Sequence, residues 1–233
     1  MEKINTIRHN SIFSADEFSD IRVDVIGCGA TGSRIAMELA KLGIQNLHIW
    51  DDDIIESHNP ANQLFYMEDV GKLKTEALAD HIFRATGIQP TIHNEKVDGS
   101  QELGKVIFLL TDNMKSRKQI WEASIVNNYE VDLMIETRMG AKIGRVYTIN
   151  PNDLDHIKLW EGSLVDDAIA LPSECGGKLS VGPTAKGIAS FAVWQFIAWF
   201  THFKKPEEHD WPTKQIFLTL NPPTLITDVD FEE

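Results

Sequence analysis

The chain has 233 residues, of which 42% are hydrophobic and 24% charged, with two cysteines and a formal net charge of −13. This composition allows a full hydrophobic core, and it excludes a disordered chain and a disulfide scaffold. The negative charge disfavours nucleic acid and membrane surfaces as partners, because both are themselves negatively charged. The N-terminus lacks the apolar run of a signal peptide, so we expect a soluble cytoplasmic protein.

Short apolar runs alternate with helical patterns through the first half of the chain. This rhythm is typical of a parallel sheet whose crossover helices cover both faces. We therefore expect an α/β fold, a Rossmann-like, doubly wound and mostly parallel sheet with added C-terminal strands and a helix. The predicted strands are 23–27, 47–50, 91–97, 106–110 and 131–135, and the predicted helices are 32–43, 69–86 and 114–127.

The pattern changes in the second half. Residues 142–149 alternate as a strand added to the sheet, and residues 182–203 are the most apolar helix candidate. Residues 150–178 are rich in Asp, Pro, Gly and Ser and are predicted to be a long loop. The sequence shows no repeat and no long linker, so we expect one domain with its core at 20–205 and a tail at 206–233.

A glycine-rich turn, G-x-G-x-x-G, lies between the first predicted strand and the first predicted helix. Gly27 permits the tight turn, Gly29 lets the backbone approach a phosphate, and Gly32 lets the helix pack on the strand. The helix N-terminus behind them offers N–H groups to an anion. Asp51, at the end of the second strand, is placed to accept hydrogen bonds from ribose hydroxyls. The motif favours a nucleotide site over a simple turn, and it leaves NAD, FAD and ATP open.

Three further features favour ATP with Mg²⁺ over a dinucleotide. The acidic run 51–53 is followed by Asn59 and Gln63. Lys74 lies near the start of the second predicted helix, and Asp112 follows the fourth strand, where open α/β sheets bind ligands. A lysine together with a carboxylate suits a triphosphate, because Mg²⁺ takes few protein carboxylates in addition to phosphate oxygens.

Four linked strings between Val25 and Arg117 carry a family resemblance: V-I-G-C-G-A-T-G-S, D-D-D-I-I-E-S-H-N-P-A-N-Q, D-V-G-K-L-K and T-D-N-M-K-S-R. In their order and spacing the sequence resembles the ThiF/MoeB/HesA-type, ubiquitin-activating-like superfamily of carboxylate adenylyltransferases. A weaker likeness extends through residues 136–140 to Cys175 and the last helix. The resemblance implies ATP- and Mg²⁺-dependent adenylation of the C-terminal carboxylate of a small ubiquitin-like or sulfur-carrier protein, or of a peptide, by a homodimer.

The resemblance also implies roles for individual residues. Asp112 would hold Mg²⁺, and Arg117 would brace the site. Lys74 and the metal would neutralise the phosphoryl oxygens while the acceptor carboxylate attacks the α-phosphorus and pyrophosphate leaves. The residues implied to contact the nucleotide are Gly27, Gly29, Gly32, Asp51, Asp53, Asn59 and Lys74.

One departure from the family pattern is a missing arginine. The family commonly has an arginine immediately before the glutamine that matches Gln63, and this chain has Asn62 there. Asn62 is therefore a candidate catalytic residue that brings a dipole in place of a charge. Arg8, near where relatives carry an N-terminal arginine, and Arg34, in the first turn of the first predicted helix, are candidate substitutes. The alternative for Arg34 is a solvent-exposed position on the helix face.

The two cysteines have different predicted roles. Cys175 lies in the predicted long loop, in the general location where some family members place a nucleophilic cysteine, and it is a candidate nucleophile. The alternative for Cys175 is a small buried side chain. Cys28 lies within the glycine-rich turn and is predicted to pack. Relatives often bind zinc through two CxxC pairs, which this chain lacks, so we expect no zinc site.

Two other functions stay open at this point. An NAD(P)-dependent oxidoreductase would explain the glycine motif and Asp51, but it leaves Lys74 and Asp112 without a role. A non-catalytic family member that binds nucleotide and scaffolds a partner would explain the missing arginine. The sequence does not identify the carrier or the step that follows adenylation.

Overall fold

Eight strands and five α-helices make up the regular structure of the residues that the computed structural model describes, 3–164 and 181–228. The strands are β1 (Val23–Ile26), β2 (Leu47–Trp50), β3 (Thr91–His93), β4 (Val106–Leu109), β5 (Leu133–Met139), β6 (Ile143–Ile149), β7 (Gln215–Leu220) and β8 (Pro223–Thr227). The helices are α1 (Gly32–Lys41), α2 (Lys74–Thr86), α3 (Met114–Ile120), α4 (Leu154–Gly162) and α5 (Gly182–Lys204).

The strands form one sheet in the order β3-β2-β1-β4-β5-β6-β7-β8. The first five strands in this order are parallel, and β6, β7 and β8 are added antiparallel. The expected Rossmann-like, mostly parallel sheet is confirmed. Because the strand order reverses between β1 and β4, the crevice for a ligand lies above these two strands.

Both faces of the central strands are buried. In β4, Val106 and Phe108 pack into the core beneath α1, α2 and α5, whereas Ile107 and Leu109 pack into the core beneath α3 and α4. A strand that is covered on both faces has no polar position, which explains the continuously apolar sequence of β4. In the described part of the chain, no helix has the length and apolar character needed to cross a bilayer.

The turn between β1 and α1 depends on glycines for steric reasons. Gly27 adopts a φ of +96°, and a Cβ there would lie 2.8 Å from the carbonyl oxygen of Leu110. A Cβ at Gly32 would lie 1.8 Å from the carbonyl oxygen of Gly27. At Gly29, by contrast, a Cβ would meet nothing within 4 Å. Two glycines are therefore required by packing, and the third faces open space.

The second predicted helix begins later than the sequence pattern indicates. It was expected over 69–86, and α2 begins at Lys74. The reason is an extended pairing, in which Leu73 bridges Ile54 and the Ile55 N–H donates to the Lys72 carbonyl at 2.9 Å. Residues in this extended conformation cannot join a helix, so the tertiary contact fixes where the helix starts.

Two segments of the second half contain regular structure whose position the sequence analysis did not give. The predicted loop 150–178 contains α4, whose first turn is capped by the Asp153 carboxylate through the N–H groups of Asp155 and His156. The stretch 206–233, expected as a tail, contains β7 and β8. These short strands are stable only because β6 offers an edge for pairing.

We expect Gly32→Ala to destabilise the fold, because the new Cβ collides with the Gly27 carbonyl. Overpacking of this kind costs about 1–3 kcal/mol, which corresponds to a drop of roughly 5 °C in melting temperature. The matched variant Gly29→Ala should melt within about 1–2 °C of the unmodified protein, since its Cβ enters open space. Thermal unfolding followed by circular dichroism measures both, and equal melting temperatures for the two variants would contradict this account of the turn.

Candidate nucleotide site

A cavity of about 620 Å³ opens at the carboxyl ends of β1, β2, β4 and β5. It lies where the strand order reverses, the place at which open α/β sheets bind ligands. Its volume is that of a small-molecule or cofactor pocket. The predicted site residues that line it together are Gly27, Gly29, Asp51, Asp53, Asn62, Lys74 and Asp112.

The glycine-rich turn forms one wall of this cavity. Gly29 lines the cavity, and the space beside its Cα is open, so a phosphate can approach the backbone there. The Ser33 hydroxyl fixes the turn by donating to the Gly29 carbonyl at 2.7 Å, and it accepts from the Leu64 N–H at 3.1 Å. Gly32 is buried and lies outside the lining, so it acts through helix packing.

Asp51 connects three elements at the centre of the site. One carboxylate oxygen accepts from the Cys28 N–H at 2.7 Å, and the other accepts from the Asp53 N–H at 2.9 Å. The Lys74 ammonium lies 3.7 Å from Asp51 and 2.5 Å from Asp53. Asp51 therefore holds the glycine-rich turn, its own loop and the first residue of α2 in one arrangement.

Burial and neighbouring charges shift the pKa values of Asp51 and Lys74. Burial raises the pKa of Asp51, because it outweighs the lowering effects of Lys74 and of the two backbone N–H groups. Burial lowers the pKa of Lys74, but the charges of Asp51 and Asp53 outweigh it, and the net shift is upward. Lys74 is consequently a permanent cation inside the cavity.

The three carboxylates of Asp51, Asp52 and Asp53 have oxygens within 4.8 Å of one another. Such a cluster resembles a metal site, but the Lys74 ammonium already supplies its positive charge. Lys74 pairs with two of the three carboxylates, and Asp51 is further engaged by backbone N–H groups. This acidic run therefore positions a lysine.

Asp112 is an exposed carboxylate at the end of β4, on the cavity wall. The Asn113 amide donates to its Oδ1 at 2.9 Å, while the Asn113 Oδ1 caps α3 by accepting from the Ser116 N–H at 2.8 Å. The helix cap thus orients Asp112 through one asparagine. A single carboxylate open to a cavity for phosphate has the hard oxygen ligand that Mg²⁺ prefers.

Arg117 braces the site, in the role that its position in the T-D-N-M-K-S-R string implies. It contacts Glu136 at 3.0 Å and donates to the carbonyls of Thr111 and Thr137 at 2.5 and 3.1 Å. Arg138 pairs with the same carboxylate at 2.9 Å. Glu136 is fully buried between the two guanidinium groups.

Two other predicted residues, Asn59 and Arg34, lie outside the cavity lining and act indirectly. Asn59 is buried outside the cavity lining, and its Oδ1 accepts from the Glu56 N–H at 2.8 Å, so it folds the loop. Arg34 also lies outside the lining and donates to the Asn62 carbonyl at 3.2 Å. Burial lowers the pKa of Arg34.

Two further predicted residues, Arg8 and Cys28, do not line the cavity. Arg8 is exposed in a turn whose His9 ring lies 3.4 Å from the Leu42 carbonyl, beyond the last residue of α1. The glycine-rich turn is at the other end of that helix, so Arg8 does not reach the site of its own chain. Cys28 is fully buried, which raises its pKa, and its packing role is confirmed. Cys175 lies outside the described residues.

The sequence analysis missed the apolar wall of the cavity. Trp50 stacks on the His93 ring at a centroid distance of 3.5 Å and an angle of 6°, and its indole N–H donates to the buried Asp24 at 2.7 Å. Val97 and Leu110 also line the cavity. A fixed flat ring beside aliphatic groups suits an aromatic base. The run L-H-I-W could have predicted this wall, because its tryptophan comes directly before Asp51 and the acidic turn.

The sequence model of the ThiF family matches residues 14–225. The chain belongs to the ThiF family. The resemblance inferred from the motifs is thereby confirmed, and it extends beyond the motif region to most of the chain.

This ThiF-family chain is similar to curated proteins over part of their length. It is 34% identical over 112 residues to the NEDD8-activating enzyme E1 catalytic subunit of Arabidopsis thaliana, which is 45% of this chain and 25% of that protein. It is 28% identical over 116 residues to the sulfur carrier protein ThiS adenylyltransferase of Escherichia coli K12, covering 47% and 46%. The matches thus span between a quarter and about half of these relatives, which are an E1-type enzyme and an adenylyltransferase.

Solved structures share the fold at low sequence identity. PaaA superposes with a TM-score of 0.71 at 18% identity, over 97% of this chain and 68% of that chain. E. coli MccB, solved with AMPCPP and MccA, superposes with a TM-score of 0.67 at 19% identity, over 92% and 65%. These likenesses show a common architecture.

The corner before α2, which presents Lys74, depends on the buried Asp69. Its carboxylate accepts from Lys72 at 2.9 Å and from the Tyr66 N–H at 2.9 Å, and it contacts the His81 ring at 2.8 Å. Burial raises the pKa of Asp69, but these three partners outweigh it and lower the pKa to about 2. A carboxylate with a depressed pKa stabilises the fold above its unfolded pKa, near 3.9, and loses that effect as the pH falls through 2.

We expect Asp69→Asn to lower the free energy of unfolding at pH 7 by roughly 2 kcal/mol, because the amide cannot hold the charged partners. The difference from the unmodified protein should shrink between pH 4 and pH 2, where Asp69 itself becomes neutral. Urea unfolding at a series of pH values measures the difference. A gap that stays constant down to pH 2 would show that the carboxylate charge has no such role.

Proposed function

We propose that this protein catalyses the ATP- and Mg²⁺-dependent adenylation of the C-terminal carboxylate of a small ubiquitin-like or sulfur-carrier protein, or of a peptide. The observation that carries the proposal is the convergence of the glycine-rich turn, Asp51, Lys74 and Asp112 on one cavity. These groups supply a phosphate cradle, an acceptor for ribose hydroxyls, a fixed cation and a carboxylate for a metal.

The residues present fit ATP. The base would lie against Trp50 and the aliphatic wall, the ribose hydroxyls would donate to Asp51, and the phosphates would pass the open space at Gly29 toward the N-terminus of α1. Lys74 would bind phosphate oxygens. Its partner Asp53 is 66% exposed, so the ion pair between them is already weakened by solvent and gives way to a more highly charged phosphate.

Asp112 would hold Mg²⁺, with Asn113 orienting its carboxylate. When bound, the metal supplies positive charge to the phosphate oxygens. Lys74 adds a second positive charge from the opposite side of the glycine-rich turn. These two positive charges would neutralise the triphosphate locally, although the net charge of the protein is negative.

In the reaction, a carboxylate oxygen of the acceptor forms a bond to the α-phosphorus. The bond from that phosphorus to the bridging oxygen breaks, and its electron pair leaves with pyrophosphate. The protein contributes position and charge, because the transferred group needs no covalent enzyme intermediate. Lys74 keeps its proton throughout, since its neighbours raise its pKa.

The substrate class in this proposal is supported by the relatives. One is a NEDD8-activating enzyme subunit and another acts on the sulfur carrier ThiS, as their names state. The proposal includes a cytoplasmic homodimer, in keeping with the family resemblance of the sequence.

A thermal-shift panel with Mg·ATP, ATP plus chelator, NAD⁺ and NADP⁺ tests the proposal. Mg·ATP at about 100 times its Kd should stabilise the protein by ~2.7 kcal/mol, or roughly 5–10 °C, and chelator should reduce the effect. Asp112→Asn should lose the Mg²⁺-dependent part of the shift. Asp80→Asn, which removes an exposed carboxylate on α2, should keep it.

Two results would contradict the proposal. Stabilisation by NAD⁺ or NADP⁺ in place of Mg·ATP would indicate an oxidoreductase-type site. Stabilisation by Mg·ATP without ATP–pyrophosphate exchange, when small proteins and peptides ending in Gly-Gly are supplied, would indicate a nucleotide-binding scaffold. The second result is worth testing because this chain has Asn62 where the family commonly has an arginine.

A further inference from the structure

Arg138 is held rigidly at the end of β5. Its Nε donates to both oxygens of Glu136, at 2.9 and 3.2 Å, and its two terminal nitrogens donate to the carbonyl and hydroxyl of Ser163, at 2.7 and 3.0 Å. Its guanidinium carbon lies 4.6 Å from the centre of the Tyr147 ring. These five contacts hold the guanidinium group in one orientation.

This rigid arginine still has hydrogen-bonding capacity. Of its five N–H groups, one on each terminal nitrogen has no partner among the residues that the structure describes. The side chain is 12% exposed, and it lines the same cavity as Asp112. Arg138 therefore presents a preorganised cation to the cavity.

The charges around Glu136 leave a positive excess at this end of the site. One buried carboxylate serves both Arg117 and Arg138, so the triad carries a net charge of +1. Arg117 is committed to the carbonyls of Thr111 and Thr137 and holds the two strand ends together. Arg138 therefore carries the positive charge that Glu136 does not balance.

The strand order places Arg138 and Lys74 at opposite ends of the cavity. Asp51, which contacts Lys74, follows β2; the glycine-rich turn follows β1, Asp112 follows β4, and Arg138 is in β5. With strands about 4.8 Å apart, this row of four strands spans about 14 Å. A nucleotide with its ribose at Asp51 and its phosphates at the glycine-rich turn, between Lys74 and Asp112, leaves the β5 end of the row open.

Displacement at phosphorus requires the entering and leaving oxygens to lie in line. If pyrophosphate leaves toward Lys74, the acceptor must enter from the side of β5. Resting on the proposed function, we propose that Arg138 binds the terminal carboxylate of the acceptor and then the carbonyl oxygen of the acyl-adenylate. A planar guanidinium suits both groups, because it offers two N–H donors in a fixed geometry.

In this step the acceptor carboxylate forms the bond to the α-phosphorus and pyrophosphate takes the electron pair of the broken bond. Arg138 transfers no proton, and it lowers the electrostatic cost of bringing an anion toward a triphosphate. Asn62 provides no charge on the other side. Glu136 is a positioning residue that acts through Arg138.

Two stable adenosine derivatives test the assignment. One is 5′-O-sulfamoyladenosine, and the other is the same compound acylated with glycylglycine, which mimics an acyl-adenylate. Calorimetry gives the Kd of each for the unmodified protein, Arg138→Met, Arg138→Lys and Arg145→Met, together with the Kd of Mg·ATP. Arg145 is the cross-strand neighbour of Arg138 and lies outside the cavity lining, so it is the matched control.

The unmodified protein should bind the acylated compound more tightly than the parent compound. Arg138→Met should reduce this preference about tenfold, the effect of losing a hydrogen bond to a charged donor, while the Kd of Mg·ATP changes less than about threefold. Arg138→Lys should restore part of the preference, and Arg145→Met should keep all of it.

Other outcomes overturn the assignment. A preference that survives in Arg138→Met, or a loss of Mg·ATP binding in the same proportion, would mean that Arg138 only supports the structure. An unmodified protein that binds Mg·ATP but does not distinguish the two adenosine derivatives would refute the role of Arg138 and leave the nucleotide site intact. Failure to bind any of the adenine compounds would refute the proposed function, and the assignment of Arg138 with it.

Discussion

The geometry of the site depends on one buried carboxylate, that of Asp51. It accepts the Cys28 N–H from the glycine-rich turn, it accepts the Asp53 N–H from its own loop, and it attracts the Lys74 ammonium from the start of α2. Each of these contacts comes from a different segment, so the carboxylate fixes their relative positions. Burial of a charge is unfavourable unless it is paired and hydrogen-bonded, and Asp51 has both kinds of partner.

A second buried carboxylate organises the opposite end of the cavity. Glu136 joins Arg117 and Arg138, and its Oε2 also accepts from the Trp160 indole at 3.3 Å, which connects β5 to α4. Both ends of the cavity therefore follow the same design, in which a buried acid holds a cation in place. The two ends differ in net charge. At one end the three carboxylates of residues 51–53 outnumber the single Lys74 ammonium, whereas at the other end two arginines outnumber the single Glu136 carboxylate.

The sequence predicted the elements whose signals are local. The glycine-rich turn, the parallel strands and the residues Asp51, Lys74 and Asp112 were all identified from short motifs, because a turn, a strand and a strand end each depend on a few adjacent residues. The start position of a helix and the short strands near the edge of the sheet were less predictable from the sequence. The start of α2 is set by a pairing with residues 54 and 55, and β7 and β8 exist through pairing in the sheet.

The sequence by itself determined the family and the mostly parallel architecture, since the signals for both lie in contiguous residues. Only the tertiary structure decided which polar residues face the cavity. Asn59 and Arg34, both read from the sequence as site residues, support the loop around Asn62. Arg138, which no motif singled out, lines the cavity because β5 lies beside β4 and its alternation places Glu136 and Arg138 on one face. The physical reason is that a side chain's role depends on the direction it points and on the neighbours that hold it, and both are set by contacts between residues distant in sequence.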